Sequence, residues 1–321
     1  TLRQRGILRK QEGITMRFNR KRQKTRPLTI LLAVAMAVSA VSAVYFGTAA
    51  LSKKPEKKSS MADDLISAID TGGIDKDEYG NMVKFFDSLS KEQSFEYKDK
   101  YKNLYVDNDF KFKDPQKKTA YLTFDDGPDE TVTPQVLDIL KKYGIKGTFF
   151  TIHNGSKKAD QLYKRIVNEG HTIAAHSYTH DYEKIYQSVD SFLEDFSKIS
   201  DHIEKVTGVK PELFRFPGGS INYFNAGVYR QIIGEMIRRG YVYYDWNVSA
   251  EDAVRAGVSA GDIKRYALAG SSNMNKKIVL MHDGAGHKNT AEALPGIIEG
   301  LKAQGYEFAP LTKDVMPVVF S

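Results

Sequence analysis

Tyr121-Leu-Thr-Phe-Asp-Asp-Gly-Pro128 reads as a buried strand that runs into two carboxylates and stops. Tyr121, Leu122, Thr123 and Phe124 are the aromatic, aliphatic and β-branched types that a core strand uses. Gly127-Pro128 breaks the strand. Asp125 and Asp126 are left at its C-terminal end, where α/β folds gather their ligands. Successive strand residues point to opposite sides, so the two aspartates can take different jobs. The plainer reading is a strand followed by an Asx-type turn with both acids solvated. Asp63-Asp64 is the same pair without a strand before it and reads as solvated surface. The histidines downstream separate the two cases.

From Lys118 the chain alternates strand and helix. Strand patterns lie at 120–125, 147–152, 171–176, 212–216, 241–246, 277–282 and 305–309. Helical patterns lie between them, at 132–143, 158–169, 183–206, 223–239, 259–270 and 290–304. Gly144, Gly170, Gly208, Gly240, Gly270 and Gly305 fall near helix ends, where glycine caps. Repeated β–α units predict a mostly parallel sheet wrapped by helices, and about seven strands suggest a (β/α) barrel, closed or incomplete.

The strand at Thr172-Ile-Ala-Ala175 ends in His176-Ser-Tyr-Thr-His180, whose two histidines at i and i+4 can face one way and share a metal. With an aspartate they make a facial set with open coordination positions, as a catalytic metal needs. Asp126 is the expected third ligand, and Asp125 is left as the base. Leu213-Phe-Arg-Phe-Pro-Gly-Gly219 adds Arg215 and a glycine-rich turn. Tyr244-Asp245-Trp246 adds a carboxylate beside the single tryptophan, and Val279-Leu-Met-His282-Asp283 adds a histidine past an apolar strand. His153, His171, His202 and His287 have no paired spacing and read as structural or surface residues. Each segment alone is commonly structural; five polar groups at successive strand ends are hard to explain by packing.

These segments, in order across about residues 117–312, resemble the five motifs of the polysaccharide deacetylases (the NodB-homology group, carbohydrate esterase family 4). The resemblance implies a distorted seven-stranded (β/α) barrel and metal-dependent removal of N-acetyl groups from a sugar polymer. It implies Asp125 as general base, Asp126, His176 and His180 as metal ligands, and Arg215, followed by Pro217, as the residue that orients the base. It implies Asp245 as the carboxylate that holds the acid histidine, with Trp246 and Leu280 walling the acetyl pocket. His282 is implied as general acid and the Gly218 N–H as an oxyanion donor. Gly218 is a departure, since the family often has tyrosine there. The Asp/His₂ set suits zinc and also accepts cobalt, nickel or manganese.

The rest of the chain bears on location. Of 321 residues 41% are hydrophobic, the net charge is +7, the pI is near 9.1, and there is no cysteine. Disulfides, thiolate metal sites and a lipid-modified cysteine are thereby excluded. Residues 1–27 hold ten Lys/Arg against Glu12 alone, directly before residues 28–51, which carry no charge. A basic flank before about 20 apolar residues predicts a membrane span with the tail in the cytoplasm, rather than nucleic-acid binding. A cleavable signal is the alternative, with candidate sites at Ser39–Ala43 and Thr48–Ala50. Met16 is the expected translation start. Residues 52–116 read as a linker or stalk in which Phe95, Tyr97, Tyr101, Leu104, Tyr105 and Phe110 pack onto the domain that follows. An outward-facing domain on such a tether points to the glycan of the bacterium's own wall, with peptidoglycan N-acetylglucosamine as first substrate. A chitin oligomer, an exopolysaccharide and acetylxylan are alternatives, and an inactive wall-binding module is the reading from another class.

Overall fold

Every one of the seven residues of β1 (Thr119–Asp125) is buried, so this strand is a continuous core run rather than an alternating one. That is the signature of a parallel strand covered on both faces. The computed structural model describes residues 99–269 and 274–320, with Lys84 and Tyr97. The basic tail, the expected membrane span at 28–51, Phe95 and most of the stalk lie outside these residues. Among the described residues no helix is long and apolar enough to cross a membrane.

After β1 come α1 (Thr133–Tyr143), β2 (Thr148–Ile152), α2 (Lys157–Asn168), β3 (Thr172–Ser177), α3 (Tyr182–Ile185), α4 (Val189–Thr207) and β4 (Leu213–Phe214). Then follow α5 (Tyr229–Arg238), β5 (Val242–Tyr243), β6 (Val248–Ser249), α6 (Ala260–Leu268), β7 (Lys276–His282), α7 (Lys288–Ala303) and β8 (Glu307–Phe308). The single helix expected over 183–206 is two, because Ser188 is extended and its side chain accepts from Ser191 N–H as a new N-cap. β6 is a strand that the sequence pattern did not show.

The strands pair in parallel in the order β5-β4-β3-β2-β1-β7-β6, with β8 added beside β1. β5 and β6 are opposite edges of this path, yet only residues 244–247 join them. Such a short link spans at most ~18 Å, so the sheet must curl until its edges approach. Seven parallel strands thus make a curled half-barrel rather than a closed barrel. The C-terminal segment lies along the connection between the edges: Asp245 N–H donates to Val318 O (2.8 Å) and Tyr244 Oη to Thr312 O (2.8 Å).

Register places the chemistry. Asp125 of β1 pairs with His282 of β7 on one side and Phe150 of β2 on the other. Ala175, one residue before His176, pairs with Phe214, one residue before Arg215. The C-terminal ends of β1, β3, β4 and β7 therefore gather their polar residues at one end of the sheet.

The segment before β1 is part of this domain. Leu104 is fully buried. The buried Arg239 is held by Glu235 Oε1 (2.7 Å) and donates to the carbonyls of Tyr97, Lys100, Tyr101 and Leu104. A buried guanidinium needs all its donors met, and this stretch of backbone meets them. The expected packing of Tyr97, Tyr101, Leu104 and Phe110 is observed.

Candidate active site

β1 delivers its two aspartates into different surroundings, as alternation requires. The turn after them closes against Asp283, and a Cβ on Gly127 would lie 2.4 Å from the Asp283 carboxylate oxygens, so only glycine fits there. Asp126 has φ 68° and His180 φ 54°, both in the left-handed region. Non-glycine residues held there cluster at functional sites, because surrounding structure must over-determine them.

Asp126 Oδ1 lies 3.1 Å from His180 Nε2 and 3.4 Å from His176 Nε2. That oxygen is buried and, among the described residues, has no hydrogen-bond partner. His176 Nδ1 donates to Arg215 O (2.8 Å), which leaves its lone pair on Nε2, facing Asp126. Burial pushes the His176 pKa down and keeps the ring neutral, as a ligand must be. One donor atom from each of the three residues lies within 4.8 Å of the others. An orphaned carboxylate oxygen meeting two imidazole nitrogens is an arrangement that a divalent cation satisfies, so these residues fit a metal.

A residue that sequence reading missed holds the loop of this triad. Asp195 of α4 is buried and accepts from Ser177 Oγ (2.7 Å), Tyr178 N (2.7 Å), Thr179 N (2.9 Å) and Thr179 Oγ1 (2.7 Å). Ser177 Oγ in turn accepts from His180 N (2.8 Å). The available signal was a carboxylate on the apolar stripe of α4, between Phe192 and Ile199, where no charge belongs without a partner.

Asp125 Oδ1 accepts from Arg215 Nη1 at 2.7 Å. Arg215 is fully buried and donates also to Thr123 Oγ1 (2.9 Å), Tyr244 O (2.8 Å) and Asp245 O (3.1 Å), with its guanidinium 4.1 Å from the Phe150 ring centroid. The pair is thus fixed in place by groups from β1, β2 and the residues after β5. The structure thus brings Arg215 and Asp125 together.

His282 is where the structure corrects the sequence reading. Its Nδ1 is 2.8 Å from Asp252 Oδ1, not from Asp245, and its backbone N–H donates to Asp252 Oδ2 (2.8 Å). Thr290 Oγ1 also donates to Asp252 Oδ2 (2.7 Å). Burial works against a charged His282, but the hydrogen bond and charge of Asp252, with Asp125 and Asp126 beyond, raise its pKa to about 9. Asp245 faces elsewhere: it accepts from Ser220 N (2.8 Å), Ser220 Oγ (2.5 Å) and Phe320 N (2.7 Å). It sits at the β5–β6 link and ties the loop after Gly219 to the C-terminal segment. Asp252 stands just past β6, and a two-residue strand leaves too little pattern to point at it.

His287, expected to be structural or surface, packs its ring on His282 with centroids 5.1 Å apart. Its Nδ1 lies 4.0 Å from Asp252 Oδ2, so Asp252, His282 and His287 form a second cluster with metal-like spacing. Here, however, both Asp252 oxygens already accept hydrogen bonds. That satisfied carboxylate fits a charged histidine with its counter-ion, whereas the orphaned Asp126 oxygen makes the other group the one consistent with a divalent metal.

Gly218 has φ 76°, and a Cβ there would meet the Tyr182 ring at 3.0 Å. The ring of Tyr182 thus fills the space beside Gly218, in the wall where the sequence showed no side chain. Gly219 N–H is taken by Phe216 O (2.9 Å), so the expectation of a backbone oxyanion donor from this turn rests on Gly218. Trp246 lies edge-on to Phe320 at 4.7 Å and 5.7 Å from the Arg215 guanidinium. Leu280 is buried in β7 between Thr123 and Ser249.

The remaining histidines are set apart from these groups. His171 Nδ1 accepts from Gly147 N (3.0 Å), and His153 stacks on Tyr178 at 4.1 Å and meets His202 edge-on at 4.6 Å.

Comparison with known proteins agrees with this geometry. The sequence profile "Polysaccharide deacetylase" matches residues 112–232. A peptidoglycan-N-acetylglucosamine deacetylase of Bacillus cereus is 32% identical over 202 residues, covering 62% of this chain and 71% of that protein. The peptidoglycan-N-acetylmuramic acid deacetylase PdaA of Bacillus subtilis is 32% identical over 216 residues, covering 65% of this chain and 74% of that protein. The crystal structure of the catalytic domain of a peptidoglycan N-acetylglucosamine deacetylase from Eubacterium rectale superimposes with a TM-score of 0.61 at 33% identity, covering 67% of this chain and 97% of that one. With its curled parallel sheet, its Asp-His-His cluster and relatives matched over most of their length, this chain belongs to the polysaccharide deacetylase family (carbohydrate esterase family 4) and is an amide hydrolase.

Proposed function

We propose that this deacetylase removes N-acetyl groups from N-acetylglucosamine residues of peptidoglycan on the outer side of the membrane, tethered by residues 28–51. The observation that carries the chemistry is the pairing of Asp125 with His282 at one level of adjacent strands, each held by a partner of opposite charge, Arg215 and Asp252. A base and an acid with separate counter-ions can stay in opposite protonation states across one bond.

Hydrolysis of the acetamide adds water to the carbonyl carbon and breaks the carbon–nitrogen bond, giving acetate and a free amine. Asp125 takes the proton from the attacking water, with Arg215 fixing its orientation. The Gly218 N–H donates to the oxygen on which negative charge develops. His282, kept cationic by Asp252, gives its proton to the departing nitrogen, since an amine leaves poorly unless protonated. Asp126, His176 and His180 would hold one divalent metal, zinc first, whose Lewis acidity acts on the carbonyl and on water.

Location favours peptidoglycan. The basic residues before the apolar run predict that the catalytic domain faces outward, where wall glycan is the acetylated polymer at hand. Acetate release by the full chain from purified peptidoglycan and from chitin oligomers, with and without chelator and added zinc, tests both halves. The expected result is chelator-sensitive release from peptidoglycan. Release from chitin oligomers alone would keep the chemistry and overturn the substrate; release insensitive to chelator would overturn the metal.

A further inference from the structure

Two neighbouring aromatic rings on this surface are exposed and yet rigidly presented, the first almost wholly and the second in part. Tyr223 is 91% exposed and Phe224 44% exposed, on the loop that follows the Gly218-Gly219 turn. Phe224 meets Tyr182 edge-on at 5.3 Å, and Tyr182 meets the metal-triad residue His180 edge-on at 5.2 Å. Tyr223 continues the series, 5.5 Å from Phe224. An unbroken line of rings therefore leads from the reaction centre into solvent, each step comparable to one pyranose unit.

The loop is fixed by its own polar side chains. Asn222 Oδ1 accepts from Phe224 N (2.9 Å) and Asn225 N (3.1 Å), and Asn225 Oδ1 accepts from Asn222 N (2.8 Å). Asn222 Nδ2 donates to Pro217 O and Gly219 O (both 3.1 Å), and the buried Asn225 donates to Ser220 O (3.1 Å). Ser220 is held in turn by the buried Asp245. This network preorganises Phe224, seated on Tyr182, and Tyr223, which gains almost nothing from packing, as a binding platform would be held. The occupant follows from continuity with the site. A strand whose reacting sugar sits at His180 must run outward, and the C–H face of a pyranose stacks on aromatic rings while the Tyr223 hydroxyl serves its edge.

We propose that Tyr223 and Phe224 form a stacking subsite for another sugar of the same glycan strand, beyond the residue being deacetylated. This inference rests on the deacetylase reading of the neighbouring site and names the feature by which the enzyme prefers long strands. Binding energy collected there is remote from the chemistry and serves to place the reacting sugar.

The test is the dependence of acetate release on chain length, using chitin oligomers from dimer to hexamer with the full-chain wild type, Tyr223→Ala, Phe224→Ala and Tyr223→Trp. In the wild type kcat/KM should rise with length. In either alanine variant the hexamer-to-dimer ratio should fall about fivefold to tenfold, mainly through KM, the size expected for loss of one aromatic contact. Tyr223→Trp should keep the wild-type ratio. An equal loss for dimer and hexamer would overturn the proposal, pointing to a disturbed Gly218 turn; so would no loss at any length, or a change in sedimentation mass in place of the length effect. If the wild type releases no acetate from any oligomer, chitin is not its substrate, and acetate release from peptidoglycan tests the deacetylase reading separately. Calorimetric binding then decides the subsite: tighter binding of hexamer than dimer, lost in Tyr223→Ala, retains it, and equal binding overturns it.

Discussion

Two clusters in this molecule are built from the same residues, one aspartate and two histidines, and hold them in opposite ways. At Asp126, His176 and His180 the carboxylate oxygen between the rings is buried and, among the described residues, has no donor in hydrogen-bonding geometry. At Asp252, His282 and His287 both carboxylate oxygens accept hydrogen bonds, from His282 itself and from Thr290. Composition and spacing do not separate a metal site from an acid with its counter-ion. The state of the carboxylate lone pairs does. Unmet lone pairs call for a cation; met ones hold a proton on the neighbouring imidazole.

The harshest way to break this contrast is to remove the central carboxylate of the first cluster. Asp126→Ala should lose both bound metal and turnover, with activity falling by at least about 10³-fold, since metal and water activation go together. Metal content of the purified variant checks it; full stoichiometry would mean that the ligand set lies elsewhere. His282→Ala should behave differently, keeping its metal while turnover drops by roughly 10²-fold or more, the usual share of a general acid. If metal is lost in both variants, the two clusters are one site and the contrast fails.

A finer cut compares the two aspartates that the sequence reading confused. Against the effect of burial, Asp252 first and then Asp125 and Asp126 raise the His282 pKa to about 9. The active form carries the proton, so activity should fall as pH rises through that value. Asp252→Asn removes the charge that holds the pKa up, and the alkaline limb of kcat/KM should move to lower pH, with a loss of about 10- to 100-fold at neutral pH. Asp245→Asn leaves His282 and its counter-ion alone. It replaces one acceptor oxygen with an amide among three donors, at a cost of about 1–3 kcal/mol in stability, so the melting temperature should fall while the alkaline limb stays in place. A shifted limb in Asp245→Asn would restore it as the partner of the acid.

What was readable in the sequence follows the same division. β1, β3 and β7 are long enough for their apolar runs to show, so Asp125, Asp126, His176 and His282 could be placed at strand ends. The alternation of strand and helix gave the parallel sheet, but not its opening, which depends on a four-residue link from one edge to the other. Around that link legibility ended. β5 and β6 have two residues each, and the Asp-Trp pair at 245–246 drew the role that belongs to Asp252 seven residues later. Asp195 was hidden for another reason: its partners are a loop 16 to 18 residues earlier, and no local pattern announces a tertiary hydrogen bond. Tyr182 was likewise invisible beside Gly218, because the two meet only when α3 folds over the turn after β4.

The smallest expected effect tests the contrast most sharply. If the second cluster held a metal, His287 would be one of its ligands and the chain would bind two ions. With Asp252 already satisfied, His287 is only a ring stacked on His282. Burial pushes its pKa down, and the charge on His282 pushes in the same direction, so it remains neutral beside the acid. A neutral neighbour adds little to either charge state of His282. His287→Gln should therefore bind one metal per chain as the wild type does, lose about twofold in turnover, the equivalent of ~0.5 kcal/mol, and leave the alkaline limb near its wild-type position. Metal counting by atomic emission on both proteins settles it. Two ions in the wild type and one in His287→Gln would mean that hydrogen-bonded carboxylates do not exclude a metal here, and that lone-pair accounting is not what separates the two clusters.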